Sequence, residues 1–417
     1  MKVGLATPID IEVLCPHLDL PAGTVPPQGL GGSATTPLVQ GLLAAGHTVS
    51  VYTLGRNIPE PVVLRGPRLT VYVGNFRARA RQYCPDMFEA EATIIRQFID
   101  LDQPDIVHAH WGYEFARGAL ASGFPHLITL HDNPWNVLRY QPDLYRVVRL
   151  LLKLWVLRRG QHFTAVSPYL AQALESASRK LTVVPNAVLP APGGVKAFPD
   201  KKVRRIVSIL TGWSELKNAA TALQAFRQVR EQLGPDLEYW LYGPDYGPGE
   251  AAQQWAEAQG LAAGVQFGGL LPHEELLHCL PTFDVLLHPS REESFGLTLV
   301  EAMQAGLPVV GGSHSGAVPW VLEGGRCGLL ADINSPTAIA AALLTLFTQP
   351  ARYEELSARG VDRVANHFSQ SAVTAAYERL YQQVLGWNQT AARPLKTQAI
   401  DWQHIAEPRS VALSPLS

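Results

Sequence analysis

Cysteine is scarce in this chain, four in 417 residues. Cys15, Cys84, Cys279 and Cys327 are scattered and show no Cys-x-x-Cys spacing. That excludes a disulfide framework and a thiolate metal site, and buried free thiols are expected instead. No apolar run reaches the roughly 18 to 20 residues that a membrane-spanning helix needs. Met1-Lys2-Val3-Gly4-Leu5 reads directly as a first strand with no leader ahead of it, so a cytoplasmic location is expected. Charge is sparse and balanced, with 17% charged residues and a formal net charge of -2, which excludes wholesale nucleic-acid binding. Internal repeats are absent. So are Gly-x-Gly-x-x-Gly, the Walker loop, His-Glu-x-x-His and Gly-x-Ser-x-Gly, which removes the main support for dehydrogenase, kinase, zincin and hydrolase chemistry.

What is present is apolar material, 47% of the chain, in an amount and length that suit two α/β domains better than one core. Short apolar runs ending in turn residues alternate with helical patterns throughout, as parallel sheets covered on both faces require. Lys2 to Thr7, Thr48 to Tyr52, Leu69 to Val73, Ile106 to Ala109, His126 to Thr129, Phe163 to Val166 and Leu181 to Val184 read as strands of a first Rossmann-like domain, residues 1–190. The Pro-, Gly- and Ala-rich stretch Ala187 to Pro199 reads as a linker. Lys201 to Arg205 then opens a second Rossmann-like domain, 191–370, with strands at Ile206 to Leu210, Glu238 to Tyr242, Val265 to Phe267, Val285 to His288 and Pro308 to Gly311. Helices are expected at Thr35 to Ala45, Met87 to Asp100, Ala220 to Glu231, Thr298 to Ala305 and Pro336 to Thr348, the last capped by Ser335. A final helix at 371–386, free to cross back to the first domain, precedes an aperiodic tail, 387–417, expected to be disordered. The implied fold class is α/β, two Rossmann-like domains with parallel sheets facing a central cleft.

One stretch carries chemistry: His288-Pro289-Ser290-Arg291-Glu292-Glu293-Ser294-Phe295-Gly296-Leu297-Thr298-Leu299-Val300-Glu301-Ala302-Met303. A strand ends, the chain turns at Gly296 and a helix starts, and parallel sheets bind ligands at such loops. Backbone amides of Gly296, Leu297 and Thr298 would face an anion with the positive helix end behind them, as a diphosphate needs. Glu293 can accept hydrogen bonds from sugar hydroxyls, and Glu301 can hold two vicinal ribose hydroxyls at once. Taken alone, the two would be a loop carboxylate and an ordinary helix residue.

The flanking residues change that balance. Glu293 to Val310, with Gly296, Ala302, Ala305, Gly306 and Pro308, resembles the Glu-x7-Glu signature of glycosyltransferase family 4, the large retaining GT-B family. The resemblance runs to about residue 386, through Gly31-Gly32-Ser33, Ala44 to Val51, Asp105 to His110, Thr129-Leu130-His131-Asp132, Ala165-Val166-Ser167 and Val184-Pro185-Asn186, in the family's order. It implies a metal-independent hexosyltransferase with no cofactor. The co-substrate would be a nucleotide-diphosphate sugar (UDP, GDP or ADP), and the acceptor a carbohydrate, a lipid-linked molecule or a small molecule. In the implied mechanism the acceptor hydroxyl attacks from the face the diphosphate leaves, and the leaving phosphate oxygen takes its proton.

The resemblance also assigns roles. His131, Glu293 and Lys217 would be catalytic, with Lys217 neutralising the departing diphosphate. Gly32, Lys217, Ser290, Glu293, Gly296, Leu297, Thr298 and Glu301 would bind the donor, with Asn186 beside them, and Gly31, Ser33 and Asp132 would face the acceptor. Specificity would lie in Asp10 to Leu30 and Asn133 to Gln141. Two positions depart from the family: Gly212, or Trp213 if the alignment slips by one, stands where an arginine usually precedes the phosphate lysine, and Trp320 where an acidic residue is usual. The missing arginine keeps open a catalytically silent scaffold as a binding subunit, and a GT-B phosphorylase or epimerase is a further alternative.

Three features remain. His108 and His110 lie two apart on a strand without a third ligand and read as structural, so no metal site is expected. Asp100-Leu101-Asp102 has the Asp-x-Asp spelling of Mn²⁺ sites but falls at a helix end, where it reads as a solvated terminus. Arg146, Arg149 and Lys153 occupy one arc of the apolar helix Leu144 to Arg159. They form either the outer face of a covered helix or a peripheral contact with an anionic membrane.

Overall fold

The computed structural model describes residues 1–388 apart from 22, 177, 178, 192 and 201. Lys201 at the expected domain opening, and the expected tail from 389 onward, lie outside the described residues. The chain divides into two compact units. Met1–Ala165, Leu174–Val184 and the described chain from Val373 form one, and Val166–Ala173 with Pro185–Ala372 form the other.

The first unit holds β1 (Lys2–Ala6), β2 (Thr48–Gly55), β3 (Val62–Arg65), β4 (Leu69–Asn75), β5 (Ile106–His110), β6 (His126–Leu130), β7 (Phe163–Ala165) and β8 (Thr182–Val183). Their order in the sheet is β3-β4-β2-β1-β5-β6-β7-β8, parallel except for the antiparallel edge strand β3. Seven consecutive residues of β2 are buried, as expected of a strand covered on both faces. Gly4 is required by close packing, since a Cβ there would stand 2.6 Å from the Tyr52 ring. The Tyr52 and Tyr72 hydroxyls donate to the two oxygens of Asp102, which also pairs with Lys2. Asp102 is therefore a buried anchor and not a solvated helix end, which disposes of the Asp-x-Asp spelling by its partners.

The second unit holds β9 (Arg204–Ile209), β10 (Leu237–Tyr242), β11 (Val265–Gly269), β12 (Val285–His288), β13 (Val309–Gly312) and β14 (Leu329–Ala331), ordered β11-β10-β9-β12-β13-β14 and all parallel. Helices Ala219–Leu233 and Pro336–Thr348 cover one face through Leu223, Phe226, Ile339, Leu343 and Phe347. Ser335 Oγ accepts the Ala338 amide at 3.2 Å, the expected cap. β3 and β14 were not foreseen, because four and three residues are too few to show a period.

The helix Gln370–Asn388 continues two residues past the expected end. Its Tyr381 hydroxyl stands 2.7 Å from His108 Nδ1, and its Tyr377 hydroxyl 3.1 Å from Thr129 Oγ1, so its part from Val373 onward belongs to the core of the first unit. Helix Leu144–Arg159 overturns the expected basic outer arc. Lys153 is wholly buried and Arg149 lies 3.5 Å from the Tyr113 ring centroid, both turned inward.

Candidate functional site

In the second unit, β9 and β12 are neighbours at the point where the strand order reverses, the place where open parallel sheets take ligands. The loop after β9 carries Lys217, and the loop after β12 carries Glu293. Arg291 N donates to Leu216 O at 2.9 Å, joining the two loops. Buried Asn218, in the left-handed region at φ 55°, donates through Nδ2 to Pro289 O (3.2 Å) and Ile333 O (2.7 Å). It thereby starts the helix at Ala219 and holds Lys217 over the second loop. The result is a contact of 2.7 Å between Lys217 Nζ and Glu293 Oε1.

Two further ties fix the Glu293 loop. Ala317 N donates to Glu293 O at 2.8 Å, and Ser167 Oγ donates to Ser294 O at 2.6 Å. Gly316, at φ 58°, permits the first, because a Cβ there would fall 2.3 Å from Glu293 O. Gly296, at φ 93°, turns the chain into helix Leu297–Gln304, whose first N–H groups have no intrahelical acceptors. Ser290 Oγ is fully buried and finds no partner among the described residues. Burial by itself would raise the Glu293 carboxyl, but the charge of Lys217 and the nearby His288 hold it well below the carboxylate range. His288 Nε2 lies 3.2 Å from Glu293 Oε1. No role was foreseen for His288 or Asn218, although each sits beside a quoted motif residue.

Glu301 is nearly buried and 2.7 Å from His273 Nε2. That hydrogen bond raises His273 above its ordinary value against the effect of burial. Trp320, where the resemblance leads one to expect an acidic residue, packs between Phe295 (6.3 Å) and Phe368 (5.7 Å) and so serves the core. At the other departure, Gly212 adopts φ 81°, and the Trp213 amide following it donates to Asp245 Oδ2 at 3.0 Å. Arg291 instead brings a guanidinium to this loop, paired with Glu215.

In the first unit the candidates gather where β1, β5 and β6 end. Gly32, at φ 135°, packs against the turn after β1, where a Cβ would meet Pro8 O at 2.2 Å. Gly31 and Ser33 beside it are exposed. His131 Nε2 lies 3.0 Å from His110 Nδ1, and its ring stacks on Trp111 at 4.2 Å. His110 is therefore a partner of the candidate His131, not only packing. Trp111 holds a left-handed φ of 61°, unusual for a bulky residue and typical of strain kept at functional sites. Burial pushes His131 down to about 3, with Asp132 opposing the shift and Lys153 adding to it. Asp132 is a more committed residue than an acceptor-facing carboxylate needs to be. It accepts from Lys153 Nζ at 2.5 Å and from the Tyr113 hydroxyl at 2.5 Å. Among the described residues no group of three His, Cys, Asp or Glu side chains could hold a metal ion.

Comparison with known proteins follows the same division. Residues 32–191 match the model of Glycosyltransferase Family 4, and residues 198–363 match that of Glycosyl transferases group 1. N-acetyl-alpha-D-glucosaminyl L-malate synthase of Bacillus anthracis is 22% identical over 384 residues, 86% of this chain and 95% of that protein. The 2-deoxystreptamine glucosyltransferase of Streptomyces kanamyceticus is 30% identical over 205 residues, 45% of this chain and 52% of that protein. Among solved structures, sucrose-phosphate synthase from Thermosynechococcus elongatus has a TM-score of 0.71 at 19% identity, covering 93% of this chain and 100% of that one.

Proposed function

Since the chain belongs to the family 4, group 1 glycosyltransferases of GT-B fold, we propose that it transfers the sugar of a UDP, GDP or ADP sugar to an acceptor hydroxyl with retention of configuration and without a metal. The observation that carries this reading is the Lys217–Glu293 contact of 2.7 Å beside a helix start with open amides. A cation, backbone N–H groups and a sugar-binding carboxylate then converge on one strand-end crevice, as a departing diphosphate requires.

In this reading Lys217 turns from Glu293 to the phosphate oxygens as charge builds on them. The amides of Gly296, Leu297 and Thr298 share that load, with the Ser290 hydroxyl beside them. Glu293 then accepts from hydroxyls of the transferred sugar, and Glu301 releases His273 to hold the ribose. His131, kept neutral, serves as a hydrogen-bonding group for sugar hydroxyls and not as a general acid. Gly31, Gly32 and Ser33 shape the approach of donor and acceptor. Asp132 keeps His131 in place through its anchorage on Lys153.

A thermal-shift screen with UDP, GDP and ADP sugars identifies the donor. Product analysis by NMR in the presence of EDTA then tests the chemistry. The expected product retains the anomeric configuration of the donor, and activity survives the chelator. An obligate Mn²⁺ or Mg²⁺ requirement, or an inverted product, overturns the reading.

A further inference from the structure

Helix Leu144–Arg159 buries one apolar face through Leu150, Leu152, Val156 and Leu157 and keeps a second apolar row outside. Its charged residues Arg149 and Lys153 point into the first unit, where they contact Tyr113 and Asp132. Leu144, Val147 and Leu151, at spacings of three and four that place them on one face, point to solvent with exposures of 73%, 37% and 51%. Trp135, on the preceding helix Pro134–Tyr140, is 52% exposed. A surface helix with one face covered ordinarily carries polar residues on the other, and a row of exposed aliphatic side chains next to an exposed tryptophan marks a contact surface.

The charges nearby select the partner. The helix contains five basic residues and no acidic one, and it ends in exposed Arg158 and Arg159. Asp143, the carboxylate that caps its start, is already paired with Arg146. A second copy would set arginine-rich helix ends against a surface short of free carboxylates. A bilayer offers apolar chains to the leucines, an interfacial zone to the tryptophan and anionic headgroups to the arginines. We propose that the outer face of this helix, Leu144, Val147 and Leu151 with Trp135, docks on an anionic membrane surface, with Arg158 and Arg159 reaching the headgroups. This goes beyond the sugar-transfer reading and does not depend on it. The helix is also too short and too charged to cross the membrane, and among the described residues no helix qualifies as a span. It would therefore lie in the interface plane, with its inward lysine still holding Asp132.

The test is flotation of the full chain with phosphatidylcholine vesicles, with and without phosphatidylglycerol, at low and high salt. The native chain should float with the anionic vesicles, and less at high salt. Leu144→Glu/Leu151→Glu should lower the partition by about tenfold or more, since the lost apolar burial is the anchoring term. Arg158→Glu/Arg159→Glu should abolish the preference for anionic lipid. All four positions are exposed and outside the site, so activity on a soluble acceptor and the circular dichroism spectrum should stay as in the native chain. Equal flotation of native and variant chains overturns the proposal. So does light scattering that shows a dimer lost in the leucine variant, which would assign the face to a second copy. A native chain that neither floats nor dimerises overturns it as well.

Discussion

Lys217 Nζ and Glu293 Oε1 lie 2.7 Å apart, although 76 residues separate them in sequence. The sheet explains the meeting, because the strands that deliver them, β9 and β12, pair in parallel through Ile206 with Val285 and Val207 with Leu286. Without a donor the cation and the carboxylate neutralise each other. Under the proposed function both groups turn to different parts of the donor, which makes this ion pair the resting arrangement of that reading.

The two glutamates should separate by assay. Glu301→Ala is expected to weaken binding of the bare nucleotide diphosphate by about 1.5 to 3 kcal/mol, the value of a charge-assisted bidentate contact. Glu293→Ala should spare that affinity and lower kcat, as an interaction used in the transition state does. Calorimetry with nucleotide and steady-state kinetics check the split. Full turnover and affinity in both variants would remove these residues from the site.

Lys217→Met should lower kcat by about a hundredfold, in the range found when one oxyanion-stabilising group is removed. It should also change acid stability. The Glu293 carboxyl lies below its ordinary value of 4.5 in the fold. Its stabilisation is thus complete above that pH and is lost as pH falls towards the folded value. Without Lys217 much of the depression disappears, and the acid-unfolding midpoint, followed by circular dichroism, should move to higher pH.

His273 should make nucleotide binding depend on pH. Glu301 raises its pKa in the free protein, and a ribose that takes over the Glu301 oxygens would let that pKa fall back, releasing a proton. Affinity should therefore increase as pH rises through the titration of His273. In His273→Gln the profile should be flat, as read by calorimetry in buffers of different ionisation enthalpy. An unchanged profile would mean that His273 and the nucleotide do not share Glu301.

The histidine pair of β5 should make the protein acid-sensitive. Burial holds His108 and His110 well below 6.5 in the fold, so the unfolded chain binds protons that the native chain does not. Stability is then flat above pH 6.5 and falls below it, by about 1.4 kcal/mol per histidine at pH 5.5. Urea unfolding at pH 7.5 and 5.5 measures the loss. His110→Asn should reduce it by about one histidine's share, and a stability that does not change between the two pH values would contradict the burial argument.

Much of this was legible in the sequence because parallel strands buried on both faces leave continuous apolar runs, and the Glu-x7-Glu loop has a fixed spacing. The expected strands at Lys2, Val285 and Pro308 stand within one residue of the observed ones, and the one at Thr48 starts as expected and runs three residues further. What the sequence hid were pairings across distance. Nothing local says that Asp102 answers two tyrosines, that His110 leans on His131, or that His273 meets Glu301 across 28 residues. The basic arc misled for a related reason. Helical spacing shows that Arg149 and Lys153 share a face, but only the partner Asp132 shows that the face points inward.

The last helix has a consequence for how the chain can be made. His108 and Thr129 of the first unit are completed by Tyr381 and Tyr377, which leave the ribosome only after the whole second unit has been synthesised. A nascent first unit therefore waits with buried polar groups unanswered, and a fragment ending at Val184 would carry the same deficit permanently. Truncated chains that treat the N-terminal half as independent should be held by chaperones or recovered as aggregate, while adding residues from Val373 in trans or by circular permutation should rescue them.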